Sequence, residues 1–245
     1  MRPAAKLWSF VEDCEAVTSV GALGARFLNE MSDLGFPFVA LASHVDPIKP
    51  PPGAIMVLRY PSSWVAHYSA EHLDRIDPVF EAASRRAIPF RWQEQSFLDG
   101  LKRSQRRMLH EGSEAGIKDG FTIPIRGPDA LPASCSLIPD AGGVDARHYT
   151  LVHAMAVFAH ERARQLLAGS LVAETTRLTP RERECLALVA RGKSDWVISS
   201  LLGVSEGAVN RTVERAKRRM GVATRTQAVV RALQACEISF FDLTD

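Results

Sequence analysis

The chain has 245 residues, 46% of them apolar and 24% charged, which accommodates one domain of about 170 residues and a second, smaller one. No apolar run approaches the ~18 residues of a membrane span, and no apolar stretch follows Met1-Arg2-Pro3-Ala4-Ala5-Lys6 as in a secretory leader. Cys14, Cys135, Cys185 and Cys236 are scattered without a C-x-x-C pair, which argues against a zinc site and fits reduced thiols in a cytoplasmic chain with no metal and no cofactor.

In chain order, Leu7 to Leu34 reads as one long helix, because Trp8, Val11, Val17, Val20, Leu23, Phe27, Leu28 and Met31 mostly recur at three- and four-residue steps. Gly35 ends it, and Phe36–Ala42 is a predicted strand. The proline-rich stretch from Pro47 to Gly53 is a loop. Ala54–Tyr60 is a second strand, so continuously apolar that both of its faces are expected to be covered. Pro61 breaks that strand and Ser62 or Ser63 can open a helix, which places Tyr60, Trp64 and Tyr68 on one side. Asp77-Pro78-Val79-Phe80 and Pro89-Phe90-Arg91-Trp92 follow. Aromatic residues with a polar tip suit an apolar cavity that offers directed hydrogen bonds, and each alone suits ordinary core packing equally. Asp77 suits a turn or a helix cap ahead of its proline; as a carboxylate among aromatics it also requires a donor.

Ser96–Ala115 is the next predicted helix, with Lys102, Arg103, Arg106 and Arg107 on an outer face read as solvated. Strands Phe121–Ile125 and Ala133–Ile138 come after it, and Ser134 and Ser136 point to the same side of the second. An amphipathic helix spans Asp145 to Ala168, with Leu151, Val152, Met155, Val157, Phe158, Ala159 and Leu166 on its apolar side. The predicted division is a first domain over 1–168, a linker over 169–177 and a second domain over 178–245.

The second domain opens Leu178-Thr179-Pro180-Arg181-Glu182. Thr179 caps a helix, Pro180 suits its first position and Glu182 completes a capping box; the helix should stop at Gly192. Trp196–Leu202 is a short second helix ending at Gly203. Ser205 caps a third that runs to Met220, and a fourth spans Thr226–Ala235. In the third, Val209, Val213, Ala216 and Met220 share one face, while Asn210, Arg211, Glu214, Arg215, Lys217 and Arg218 occupy the other. Short helix, tight turn and longer basic helix make a helix-turn-helix, whose second helix enters the DNA major groove. Between Arg177 and Cys236 twelve basic residues face five acidic ones, whereas residues 1–176 carry a net −2; one end of a near-neutral chain is built for phosphate.

Leu178-Thr179-Pro180-Arg181-Glu182-Arg183-Glu184, Leu186, Gly192-Lys193-Ser194, Ile198, Leu202-Gly203-Val204-Ser205, Val209-Asn210 and Gly221-Val222 resemble the DNA-binding domain of LuxR-type regulators. The chain departs from that pattern at Val197, where the family usually has Glu, at Ser199, where it has Ala, and in Ala208-Val209-Asn210-Arg211-Thr212, where it has Thr-Val-x-x-His. Tyr60-Pro-x-x-Trp64-x-x-x-Tyr68, Asp77-Pro78-Val79, Pro89-Phe90-x-Trp92 and Gly120-x-Thr122-Ile123-Pro124 are similar to the acyl-homoserine-lactone-binding domain of quorum-sensing members. The resemblance implies an α+β chain: an N-terminal antiparallel sheet between helix layers, then an all-α four-helix domain. It further implies that Trp64 donates to the lactone carbonyl, Asp77 accepts from the ligand amide N–H and Tyr60 donates to the amide carbonyl. Tyr68 and Trp92 would pack on the ligand, with Ser136 near its amide.

The reading that follows is a dimeric, cytoplasmic transcription regulator that binds an acyl-homoserine lactone and a pseudopalindromic promoter site. Asn210 and Glu214 are candidate base readers. Lys193, Arg211, Arg215 and Arg218 are candidate phosphate contacts, and Ser205 stands at the entry of the helix. A sensor for another small molecule, or for none, is the alternative. A phosphoacceptor domain would need clustered acids at strand ends, and Asp46 precedes a proline. An enzyme would need a Gly-x-Ser-x-Gly, a metal-spaced histidine cluster or a phosphate loop, and the seven histidines are dispersed.

Overall fold

The computed structural model describes residues 3–127, 131–140, 146–170, 177–235 and 237–239. They form two compact units, one up to Ser170 and one after it. Asp145, most of the expected linker and Cys236 lie outside the described residues.

The first unit opens with two helices, α1 (Pro3–Ala16) and α2 (Val20–Asp33), where the apolar periodicity predicted one. The break has local and distant causes. Ser19 accepts from the Ala22 N–H at 3.2 Å and caps α2. Arg162, far along the chain, donates to the carbonyls of Cys14, Glu15 and Val17 at 3.0, 3.0 and 2.8 Å and closes the end of α1. Trp8, expected on the apolar face, is 67% exposed.

Strands β1 (Phe38–Ser43), β2 (Met56–Arg59), β3 (Phe90–Arg91), β4 (Phe121–Ile125) and β5 (Ala133–Ile138) form an antiparallel sheet in the order β2-β1-β5-β4-β3. Helices cover both faces, α1, α2 and α7 (Ala146–Ser170) on one, and α3 (Ser62–Ala70), α4 (Pro78–Arg85), α5 (Gln95–Leu98) and α6 (Arg103–Glu114) on the other. Side chains alternate between the faces. Val39, Leu41, Val57, Ile123, Cys135 and Leu137 join Phe27, Met31, Val152 and Met155 in the main core, and each fully buried side chain of this size contributes about 1.5–3 kcal/mol. The other parity, Ala40, Ala42, Leu58, Ser134 and Ser136 among them, faces a cavity.

Three further expectations change. β2 is an edge strand and Leu58 is 38% exposed, so its outer parity meets the cavity rather than a second packed layer. The helix predicted over Ser96–Ala115 is two, because a turn at Asp99–Leu101 intervenes and the Lys102 N–H donates to Gln105 Oε1 at 2.9 Å to start α6. On α7 the buried face is Leu151, Val152, Met155, Ala156, Ala159 and Ala163, whereas Val157 and Phe158 are 43% and 46% exposed. No helix among the described residues is long and apolar enough to cross a membrane.

The second unit holds α8 (Pro180–Ala190), α9 (Asp195–Leu202), α10 (Glu206–Arg219) and α11 (Arg225–Gln234). Each start is capped as its residues dictate: Thr179 with Glu182, Ser194, Ser205, and Thr224 with Gln227. Gly203 ends α9 at φ 64°, a left-handed conformation that glycine enters without strain. Val209 and Val213 pack with Cys185 and Ile198, and Ala216 and Met220 pack with Leu186 and Ala228.

Candidate functional site

The first unit holds a cavity with an open mouth, lined from β1, β2, β5, α3, α4 and α6. Its wall is largely apolar, and polar groups enter at a few points. α3 contributes two of them. Pro61 stops β2 from continuing and Trp64 and Tyr68, four residues apart, fall on the inner face of the helix that follows. Their rings meet edge-on at 6.2 Å. Tyr60 enters from the end of β2 and packs edge-on against Phe38 at 6.4 Å. Among the described residues neither the Trp64 indole N–H nor the Tyr60 hydroxyl has a hydrogen-bond partner, and both residues line the cavity.

Asp77 combines the two roles its sequence context allowed. Oδ1 accepts from the Val79 N–H at 2.7 Å and caps α4, while Oδ2 accepts from the Tyr68 hydroxyl at 2.8 Å. Burial pushes its carboxyl up to about 6 against the lowering effect of those hydrogen bonds. Burial, and then the charge of Asp77, push the phenols of Tyr60 and Tyr68 far up, so both stay protonated donors.

A second chain of hydrogen bonds crosses the sheet. Trp92 Nε1 donates to Thr122 Oγ1 at 2.8 Å, and Thr122 Oγ1 lies 2.9 Å from Ser136 Oγ. Thr122 is fully buried and was missing from the predicted site. Its parity on β4 and its pairing with Ser136 are the signal that finds it, and that pairing is visible only once the strands are in register. Trp92 also explains Gly120: a Cβ there would stand 2.4 Å from the indole. A Cβ at Gly112 would similarly meet the Trp64 ring, at 3.4 Å. The structure thus brings Tyr60, Trp64, Tyr68, Asp77, Trp92 and Ser136 to one cavity. Trp92 and Tyr68, expected only to pack on a ligand, also tie down the polar groups beside it.

In the second unit Asn210, Arg211, Arg215 and Arg218 are exposed on the outer face of α10. Ser205 Oγ accepts from the Ala208 N–H at 3.2 Å, so its hydroxyl is committed to the cap. Glu214 is held by Lys217 at 2.7 Å, a partner that competes with any base. Arg215 donates to Thr212 Oγ1 at 3.1 Å, and Thr212, placed on neither face by the sequence, is buried with the core. Lys193 sits half-exposed after Gly192, where its backbone N–H donates to the Leu188 carbonyl at 3.1 Å. Arg219 instead turns inward to the buried Glu182 at 3.1 Å and braces α10 on α8. Among the described residues no cluster of histidine, cysteine and carboxylates has the spacing of a metal site.

Comparison with known proteins assigns both units. Residues 19–163 match the autoinducer-binding domain family and residues 176–232 the family of bacterial regulatory proteins called luxR. The chain is 30% identical over 184 residues, 74% of each chain, to the transcriptional activator protein BjaR1 of Bradyrhizobium diazoefficiens. It is 27% identical over 224 residues, 91% of each, to RpaR of Rhodopseudomonas palustris, an HTH-type quorum sensing-dependent transcriptional regulator. A crystal structure of Escherichia coli SdiA shares the fold with a TM-score of 0.74 at 17% identity, covering 98% of this chain and 99% of that one.

Proposed function

We propose a function from one premise: the chain belongs to the LuxR family of bacterial transcription regulators, with an autoinducer-binding domain followed by a DNA-binding helix-turn-helix. The family consists of regulators rather than enzymes. On that premise the autoinducer is an N-acyl-homoserine lactone held in the cavity, and the protein acts in the cytoplasm as a homodimer on a pseudopalindromic promoter site. The functional division falls within residues 169–177.

The observation that carries the lactone is Asp77. It is a carboxylate in an apolar cavity whose protein donors leave it acceptor capacity, and it shares that cavity with two donors that have no partner among the described residues, Trp64 and Tyr60. An acyl-homoserine lactone presents the complement, one amide N–H and two carbonyls. Leaving any of these unpaired in such a site costs about 1–3 kcal/mol. Ser136, steadied by Thr122, lines the same cavity. A ligand bound here becomes part of the sensor core and stabilises it by mass action, about 2.7 kcal/mol at a hundredfold excess over Kd. The exposed Val157 and Phe158 on α7 suit an interface between two copies, and two-fold symmetry then sets two α10 helices on two half-sites. There Asn210 is the favoured base reader, Glu214 a second one that must first leave Lys217, and Arg211, Arg215, Arg218 and Lys193 hold phosphates while Ser205 fixes the helix entry.

The test is a thermal melt of the full chain against a panel of acyl-homoserine lactones, with Trp64→Ala and Asp77→Asn alongside. One lactone should raise Tm by about 5–10 °C, and both variants should lose the shift. A folded, DNA-binding protein indifferent to every lactone would sink this assignment of the ligand.

A further inference from the structure

One polar side chain in the cavity wall, Ser134, is not used by a lactone anchored at Asp77. Ser134 and Ser136 both face the cavity from β5, two residues and so about 7 Å apart along the strand. Ser136 is tied to Thr122, whereas Ser134 is tied to His44, with Oγ and Nε2 2.9 Å apart. His44 is held at both ends: its backbone N–H donates to the Pro132 carbonyl at 2.7 Å, and its ring stacks on the cavity-lining Phe80 with centroids 4.3 Å apart and planes at 17°. Burial, and then the Arg126 cation, push His44 down to about 4. The ring is therefore neutral near pH 7, with one N–H and one lone pair.

The register shows where this pair sits. Phe38 opposite Ile138 marks the end of the sheet where Trp64 packs, and the pairs Ala40–Ser136 and Ala42–Ser134 step away from it. Ser134 is thus one step further than Ser136, opposite Ala42, where a methyl group would fill the wall equally well. A buried hydroxyl there requires a partner, and the histidine takes up only one side of it. If Nε2–H donates, the serine O–H is left to donate; if Nε2 accepts, the serine oxygen is left to accept.

We propose that the Ser134–His44 pair is a second polar station of the cavity, which reads a hydroxyl or carbonyl oxygen on the part of the acyl group remote from the amide. The ligand class is then an acyl-homoserine lactone oxygenated far along its acyl group rather than a plain alkanoyl one. The proposal rests on the lactone reading of the Asp77 end. The step from Ser136 to Ser134, about 7 Å, corresponds to roughly five carbons of an extended chain.

The test titrates the full chain with two matched lactones, a straight acyl chain of about eight carbons and the same chain with a hydroxyl roughly five carbons beyond the amide carbonyl, as the strand spacing requires. The wild type should bind the hydroxylated lactone about five- to tenfold more tightly, the worth of one hydrogen bond. Ser134→Ala should erase that preference while leaving the straight-chain affinity unchanged or higher. His44→Phe, which keeps an aromatic ring against Phe80, should reduce the preference without removing straight-chain binding. Equal wild-type affinities, or a preference that survives Ser134→Ala, would overturn the proposal and make the pair a structural hydrogen bond. Straight-chain binding without discrimination removes this inference alone, whereas no response to either lactone or to the wider panel removes the ligand assignment with it.

Discussion

In the sensor the decisive polar groups point inward and hold one another. Asp77 is gripped by Tyr68 and by the start of α4, and Ser136 by Thr122, which Trp92 holds in turn. In the helix-turn-helix they point outward, and Arg211, Arg215 and Arg218 stand in solvent on one face of α10. An inward group works at low dielectric, where a single hydrogen bond discriminates between ligands and a misplaced atom is expensive. An outward cation works through the field of a polyanion, where each contributes little and the sum is large. The two units should therefore fail under different stresses.

Salt separates them by the widest margin. In the proposed dimer six arginines, three from each α10, set a steep dependence. DNA affinity should fall about 10³-fold between roughly 50 and 200 mM salt, while the lactone-induced rise in Tm stays constant because the cavity is shielded. Parallel binding titrations and melts across that range check this. A lactone response as salt-sensitive as the DNA response would show that ligand binding does not rest on hydrogen bonds inside the cavity. At the opposite extreme of locality, Gly120→Ala places a Cβ 2.4 Å from the Trp92 ring. The indole must move, its bond to Thr122 is lost, and overpacking of this kind destabilises by about 1–3 kcal/mol. Denaturant melts should show that loss together with weaker lactone binding and unchanged DNA affinity at saturating ligand.

The same contrast governs what the sequence revealed. The four helices of the second unit were legible almost to the residue, because what starts and stops them is local. Thr179 with Glu182, Ser194, Ser205 and Thr224 with Gln227 each act within three residues. In the sensor the aromatic set around Asp77 was legible by its spacing, but Thr122 and His44 were not. Thr122 gains its meaning from β5 paired to its own strand, and His44, just after β1, from Ser134 on the same β5, 90 residues further on. The single helix expected over Leu7–Leu34 failed for the same reason: apolar periodicity runs through the break, and the group that closes α1, Arg162, lies 145 residues beyond Val17. Edge position hid the exposure of Leu58 in a strand that reads as fully buried.

Acidity affects the inward site through Asp77. Burial holds its carboxyl near 6, above the ordinary value of 3.8, so the empty fold binds a proton more tightly than the unfolded chain does. Its contribution to the stability of the ligand-free sensor is present below about 3.8 and is lost as pH rises through about 6. The lactone amide N–H needs the ionised form, so the ligand effect has the opposite sign. Affinity should be full well above pH 6 and drop up to about tenfold for each unit below it, with proton release of about one half per ligand at pH 6 rising towards one at about pH 5. Calorimetry in two buffers of different ionisation enthalpy at about pH 5 reads that proton directly. Proton uptake, or affinity flat from pH 5 to 7, would mean that Asp77 does not accept from the ligand.

The smallest effect probes the outward site one cation at a time. Arg215 is exposed and its side chain reaches back to Thr212 Oγ1 at 3.1 Å, so it is positioned along the helix rather than thrust forward from its N-terminal turn. A phosphate contact made from there is blind to sequence. Arg215→Ala should weaken binding to specific and random DNA by the same factor, a few-fold at moderate salt, and lower the salt slope by about one. Because Thr212 Oγ1 keeps its own bond to the Ala208 carbonyl at 2.8 Å, the helix should stay intact and Tm should move little. A base reader in the same position would behave otherwise: its loss would relax selectivity at one base pair by about 1–3 kcal/mol and leave random DNA almost untouched. Competition binding against single-base operator variants distinguishes the two, and a selective loss would move Arg215 from the phosphate side of α10 to the side that reads the groove.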